Sequence, residues 1–242
     1  MSARNTAALK KEYYSSQKTI DAYHTFRYGG TSGLFVNERE LKAVSDLLPE
    51  RGLLLDAPCG QGRLIAYLKN EKRDIKIIGT DFSHQMISAA KKTNQTEYVI
   101  ADMFHLPFKD GSFDCLVSLR FTFHYRDIPG FLREARRVIK NGGSIIFDTY
   151  RWSPLAFAVP YPKICGGRVF IHSDKKITRL LEELGLTEIR RIPNFLMSPL
   201  IYRYLPFFIV RVLNFIERHI PSSCLTVVFW KVMKHSNQEG SS

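Results

Sequence analysis

Apolar positions along the chain follow one period, then alternate between two. Residues 1–50 carry helical spacing and predict two helices, roughly 5–25 and 36–48, the second marked by Leu41, Val44, Leu47 and Leu48. From residue 51 short apolar runs alternate with amphipathic stretches. Leu53-Leu54-Leu55 predicts a strand ending at Asp56, and the helix after it carries Leu64, Ile65 and Leu68. Further strands are expected at Ile75–Ile78, Tyr98–Ile100, Phe113–Leu119 and within Gly143–Tyr150. Ser83 and Asp127 are placed to cap helices, and Gly142 to end the one carrying Ile128, Phe131, Leu132, Ala135, Val138 and Ile139. Residues 151–172, with several prolines and the pair Gly166-Gly167, predict an irregular excursion with a small hairpin. A helix capped by Ser173 and closed by Gly185, a strand near 187–195, a helix near 199–219 and a strand near 224–234 complete the pattern. The polar tail 235–242 is expected to be disordered.

Strands alternating with helices imply an α/β fold: a Rossmann-like, doubly wound, mostly parallel sheet of seven strands, the last two antiparallel. It carries an N-terminal helical cap (1–50) and an inserted helix before the last strand. The body spans 51–234, with acceptor-side insertions at 151–172 and 196–221.

Sheets of this kind bind ligands at the carboxyl ends of their strands. Here strand one ends in Asp56-Ala57-Pro58-Cys59-Gly60-Gln61-Gly62, strand two near Asp81 and strand three at Asp102. Glycines in the first turn allow a sharp bend and close ligand approach. The dinucleotide fingerprint fails at Ile65, and no Gly-Lys-Ser/Thr completes a phosphate loop. A carboxylate 21 positions beyond Gly60 can accept both hydroxyls of a ribose, and one at Asp102 can accept from an adenine amino group.

The segments LLLDAPCGQGR, IIGTDFS, IADMFHLPF, FDCLVSL and REARRVIKNGG, in this order and spacing, resemble the class I S-adenosylmethionine-dependent methyltransferases over roughly residues 20–150. Within them the chain is most similar to small-molecule methyltransferases of the ubiquinone and menaquinone C-methyltransferase type, from whose pattern it departs at Pro58, where glycine is usual. The resemblance implies S-adenosylmethionine as cofactor, with Asp56, Gly60 and Gly62 at its methionine end, Asp81 and Phe82 at the ribose, and Asp102 and Met103 at the adenine. Leu119 would floor the pocket. Arg27, in a stretch resembling the family's cap helix, would meet the cofactor carboxylate or else lie on the surface. His124 sits where the family places its acceptor-side loop. It is either a catalytic base toward a phenol, enol or amine, or a hydrogen-bonding group of the loop or cofactor.

Composition adjusts this picture. Of 242 residues 45% are hydrophobic and 24% charged, an ordinary globular balance. The net charge of +12 is diffuse: 7 Lys and Arg against 6 Asp and Glu in residues 1–50, 15 against 11 in 51–150, 6 against 3 in 151–185, and 7 against 3 in 186–242. No basic arm stands out, and the loop after strand four, Ser118-Leu119-Arg120-Phe121, lacks the Asp/Asn-Pro-Pro-aromatic run of exocyclic-amine nucleic-acid methyltransferases. The only Pro-Cys, Pro58-Cys59, lies on the cofactor side. Nucleic acid is therefore disfavoured as partner. Four cysteines without a CxxC suggest neither disulfides nor zinc, and the polar N-terminus lacks the apolar core of a signal peptide. A cytoplasmic setting is expected. No uncharged run reaches the about 18 residues of a membrane span. The wide apolar face of residues 207–220 fits a lid over the acceptor, a peripheral membrane contact or ordinary core. The expected function is methyl transfer to a small apolar or aromatic, lipid- or quinone-like acceptor. RNA methylation and a non-catalytic cofactor-binding module remain as alternatives.

Overall fold

The computed structural model describes residues 10, 12–71, 73–152 and 169–235. The start of the first expected helix, most of the 151–172 excursion and most of the tail lie outside the described residues. The chain runs through α1 (Gln17–Tyr28), α2 (Gly30–Ser45), β1 (Arg51–Asp56), α3 (Arg63–Leu68), β2 (Asp74–Asp81), α4 (His84–Thr93), β3 (Glu97–Ile100) and β4 (Phe113–Ser118). It continues through α5 (Ile128–Val138), β5 (Ile139–Tyr150), α6 (Asp174–Glu183), β6 (Leu186–Asn194), α7 (Pro199–Tyr202), α8 (Phe207–Glu217) and β7 (Val227–Lys234).

The seven strands form one sheet in the order β3-β2-β1-β4-β5-β7-β6. β1 to β5 are parallel, and β7 is antiparallel to both β5 and β6. Only β7 is therefore reversed; β6 keeps the direction of the parallel strands, correcting the expectation that the last two both run against them. The physical reason is connectivity. α6 provides a crossover from β5 to the edge, and β7 then returns beside β6 into the gap next to β5.

Period-2 alternation assigns side chains to the two faces of the sheet. Cys115 and Val117 of β4 and Ile146 of β5 pack with Val36, Leu41 and Val44 of α2, with Leu47 just after it, and with Val210 of α8. Their neighbours Leu116, Ile145 and Phe147 pack with Phe131, Leu132 and Ala135 of α5 and Leu180 of α6. Both faces are thus covered, as parallel strands with apolar residues on both sides require.

The expected caps are in place: Ser83, Asp127 and Ser173 accept from the amides of Met86, Gly130 and Lys176. Several boundaries differ. The expected first helix is broken at Ser16, whose hydroxyl accepts from the Thr19 amide to cap α1, and α1 runs on to Tyr28. α2 begins at Gly30, ahead of the expected start at 36; the run Gly30-Thr31-Ser32-Gly33 has no apolar spacing to announce a helix. α5 ends at Val138 and not at Gly142. Ile139 is already extended, buried and paired with Phe113, while Gly142 (φ 76°) lies in the bulge that restores register at Cys115↔Ser144. The single helix near 199–219 is two, because Pro206, which lacks an N–H, stands at the N-cap of α8 and separates it from α7.

Candidate functional site

The tips of β1, β2, β3 and β4 open onto one cavity, at the crevice where the strand order reverses between β1 and β4. Asp56, Gly60, Asp81, Phe82, Asp102, Met103, Leu119 and His124 all line it. Arg27 and Gly62 do not. Gly62 is the left-handed N-cap of α3 (φ 75°), and a Cβ there would stand 2.7 Å from the Asn94 side-chain amide. Its contribution is to let α3 pack against α4.

At Gly60 (φ 53°) a Cβ would meet nothing within 4 Å, so glycine leaves that space open. The Gly60 amide donates to Asp81 Oδ2 (3.0 Å) and the Ser83 amide to Oδ1 (2.9 Å). Burial pushes the Asp81 carboxyl up to about 6 despite these donors. Asp56 is buried more severely: desolvation, opposed by Arg63 and reinforced by Asp81, pushes it up to about 8. Its Oδ2 has no hydrogen-bond partner among the described residues. Asp102 is half-buried and Oδ1 accepts from the Phe104 amide (3.0 Å).

His124 is buried with both ring nitrogens engaged. Lys10 Nζ lies 2.7 Å from Nδ1 and the Tyr14 hydroxyl 3.1 Å from Nε2. Burial, with Lys10, Arg27 and Arg120 adding to it, holds its pKa well below the ordinary value, so the ring is neutral near pH 7. Lys10 donates to Nδ1, so Nε2 carries the proton toward Tyr14. Arg27 Nη2 donates to the same hydroxyl (3.2 Å) and is buried; it is not the surface arginine that the sequence left open.

An acid-base cluster beneath the site was missed from sequence. Glu40 accepts from Arg63 (2.8 Å) and from Arg120, whose Nη2 and Nε both reach it. Both guanidiniums lie over the Tyr28 ring, at 4.6 and 5.5 Å from its centroid. The arginines hold Glu40 ionised, its pKa below the ordinary range although burial raises it. Arg120 has a left-handed backbone (φ 56°), and its amide donates to Asp148 Oδ1 (2.7 Å) on β5. The available signal was Glu40 itself, a carboxylate on the buried stripe Val36, Glu40, Val44. Lys10 and Tyr14 carry no local signal.

The wall beside Asp102 is aromatic. Phe121 and Tyr125 lie 4.5 Å apart by ring centroids, and Phe104 packs on Tyr125 at 5.3 Å. The N-terminal segment lies against the donor-side turns: Gln61 Nε2 donates to the Ile20 carbonyl (2.7 Å) and Ser83 Oγ to the Tyr14 carbonyl (3.0 Å).

Residues 55–147 match the model of a methyltransferase domain. Those residues, fewer than half of the chain, carry a methyltransferase domain, in keeping with the resemblance to class I S-adenosylmethionine-dependent methyltransferases. A demethylmenaquinone methyltransferase from Thermotoga maritima is 32% identical over 45% of this chain and 47% of its own. Among solved structures, a possible histamine N-methyltransferase from Thermotoga maritima superposes with a TM-score of 0.68 at 21% identity, covering 93% of this chain and 99% of that one. Magnesium protoporphyrin IX methyltransferase from Synechocystis, solved with bound S-adenosylhomocysteine, gives 0.65 at 14% identity over 95% and 99%. The chain spans half or less of the length of the first curated relatives it matches. The methyltransferase domain's cavity fits a sulfonium nucleoside on its own chemistry: Asp56 offers an unpartnered buried oxygen, Gly60 open space, and Asp81 and Asp102 carboxylates at the tips of β2 and β3.

Proposed function

We propose that this methyltransferase moves the methyl group of S-adenosylmethionine onto a small apolar or aromatic acceptor. The observation that carries the reading is one cavity lined by three carboxylates and by the apolar side chains Leu119, Phe121 and Tyr125. In this reading Asp56 and Gly60 hold the methionine end, Asp81 and Phe82 the ribose, and Asp102 with Met103 the adenine. When bound, the sulfonium supplies an already activated methyl group. The chain's own work is alignment and exclusion of water. Leu119, Phe121 and Tyr125 give the cavity an apolar surface against which a flat or aliphatic acceptor lies. Residues 1–50 act as a cap on the body 51–234, an arrangement supported by the Gln61–Ile20 and Ser83–Tyr14 hydrogen bonds. His124 holds Tyr14 over the cavity and takes no proton, since its two nitrogens are engaged and burial disfavours its charged form. Arg27 acts through the same hydroxyl.

Calorimetry with S-adenosylmethionine and S-adenosylhomocysteine, followed by methyl-labelled donor with fractionated extracts, tests both parts. Heat with both ligands and label in the lipid or small-molecule fraction are expected. Absence of heat overturns donor binding, and label in RNA overturns the acceptor class.

A further inference from the structure

α8 is turned opposite to the usual amphipathic helix. Its carboxylate faces inward: Glu217 is 6% exposed, pairs with Arg39 of α2 (2.8 Å), and accepts from the Leu196 amide (2.9 Å) and the Tyr202 hydroxyl. Val210 is its other buried residue. At 100° per residue the opposite face carries Phe208, Val212 and Phe215, which are 69, 55 and 65% exposed. Tyr204 extends this apolar stretch before the helix, and Ile216 borders it. The ion pair with Arg39 fixes this orientation, since rotating the phenylalanines inward would strand Glu217 and Arg39 without each other.

The charge around the patch has one sign. Arg211 and Arg218 flank it on one side, and His219 stacks against Phe215 at 4.4 Å. Arg203 lies beside Tyr204, 4.8 Å from its ring centroid. Glu217 is the only carboxylate in residues 199–224, and it is buried and paired. A helix with an exposed aromatic ridge and flanking arginines complements an apolar surface rimmed with negative charge. In a second copy laid antiparallel on this face Arg211 and Arg218 meet their own duplicates, which disfavours that pairing.

We propose that α8 is a membrane-surface helix, with Phe208, Val212 and Phe215 entering the headgroup region of an anionic phospholipid bilayer and Arg211 and Arg218 meeting lipid phosphates. This goes beyond the methyl-transfer reading and does not depend on it. Among the described residues no helix is long and apolar enough to cross a membrane, so the contact is peripheral.

Flotation of the full chain with vesicles tests it, using phosphatidylcholine alone and phosphatidylcholine mixed with phosphatidylglycerol. Binding to the anionic vesicles at low salt is expected, weakening as salt rises. The exposed double variant Phe208→Ser/Phe215→Ser is expected to bind about tenfold more weakly or worse from lost apolar insertion. Arg211→Glu/Arg218→Glu is expected to lose the preference for anionic lipid. Circular dichroism and thermal unfolding report the fold of each variant, and S-adenosylhomocysteine calorimetry reports the donor site, so failure of either proposal is recognised by itself. No flotation with anionic vesicles, or undiminished binding by the phenylalanine variant, overturns the inference. A concentration-dependent dimer lost in that variant, without vesicle binding, assigns the face to a second copy instead.

Discussion

Asp56 carries the sharpest residue-scale consequence. Its folded pKa of about 8 stands above the ordinary 3.8, so the folded chain holds this proton more tightly than the unfolded one. The stabilisation from this group is complete below the ordinary value and is lost as pH rises toward 8. Glu40, held low by its arginines, acts in the opposite sense, so the comparison must be with a variant. Asp56→Asn is expected to flatten the decline of unfolding free energy between pH 5 and 8 relative to wild type. Denaturant titrations across that range check it, and parallel curves for the two proteins would remove Asp56 as a titrating group. At this scale the three aspartates and Gly60 were legible because strand tips are legible: an apolar run that stops at a carboxylate marks its own end. Lys10, Tyr14 and Arg120 were not, since each acquires its role from a partner more than 75 residues away.

Among the elements, β7 is fixed in place by packing and one buried polar contact. Phe147 and Trp230 stack across the β5–β7 pair, and the indole Nε1 donates to Thr149 Oγ1 (2.8 Å). Both partners are fully buried, so Thr149→Val, nearly equal in shape, strands the indole N–H without a partner. A loss of about 1–3 kcal/mol follows, read by chemical denaturation, while a change in donor affinity is not expected. α5 was the most legible helix because all five of its buried residues fall on one stripe below an aspartate cap. The rotation of α8 was not legible. Periodicity gives a helix its two faces, but the choice of inward face depended on Arg39, which belongs to a helix far earlier in the chain. The direction of β6 was similarly hidden, because alternation along a strand is the same whichever way the strand runs.

At the scale of the whole molecule, hydrogen bonds tie the N-terminal segment to the turns after β1 and β2. Ile20 and Tyr14 lend their carbonyls to Gln61 and Ser83, side chains in the turns after β1 and β2. Ligand that immobilises those turns should therefore slow amide exchange across 12–28 as well as at 57–62. Exchange measured with and without S-adenosylhomocysteine checks this, and protection at 57–62 alone would separate the cap from the site. The doubly wound architecture was readable from strand and helix alternation, because short apolar runs separated by amphipathic helices leave a parallel sheet few other ways to bury itself.

The reversal of strand order between β1 and β4 also divides responsibilities along the chain. Every carboxylate assigned to the nucleoside comes before Leu119, while Phe121 and Tyr125 come after it. A sequence built on this plan can exchange one customer for another by rewriting its second half, leaving the grip on the shared reagent untouched.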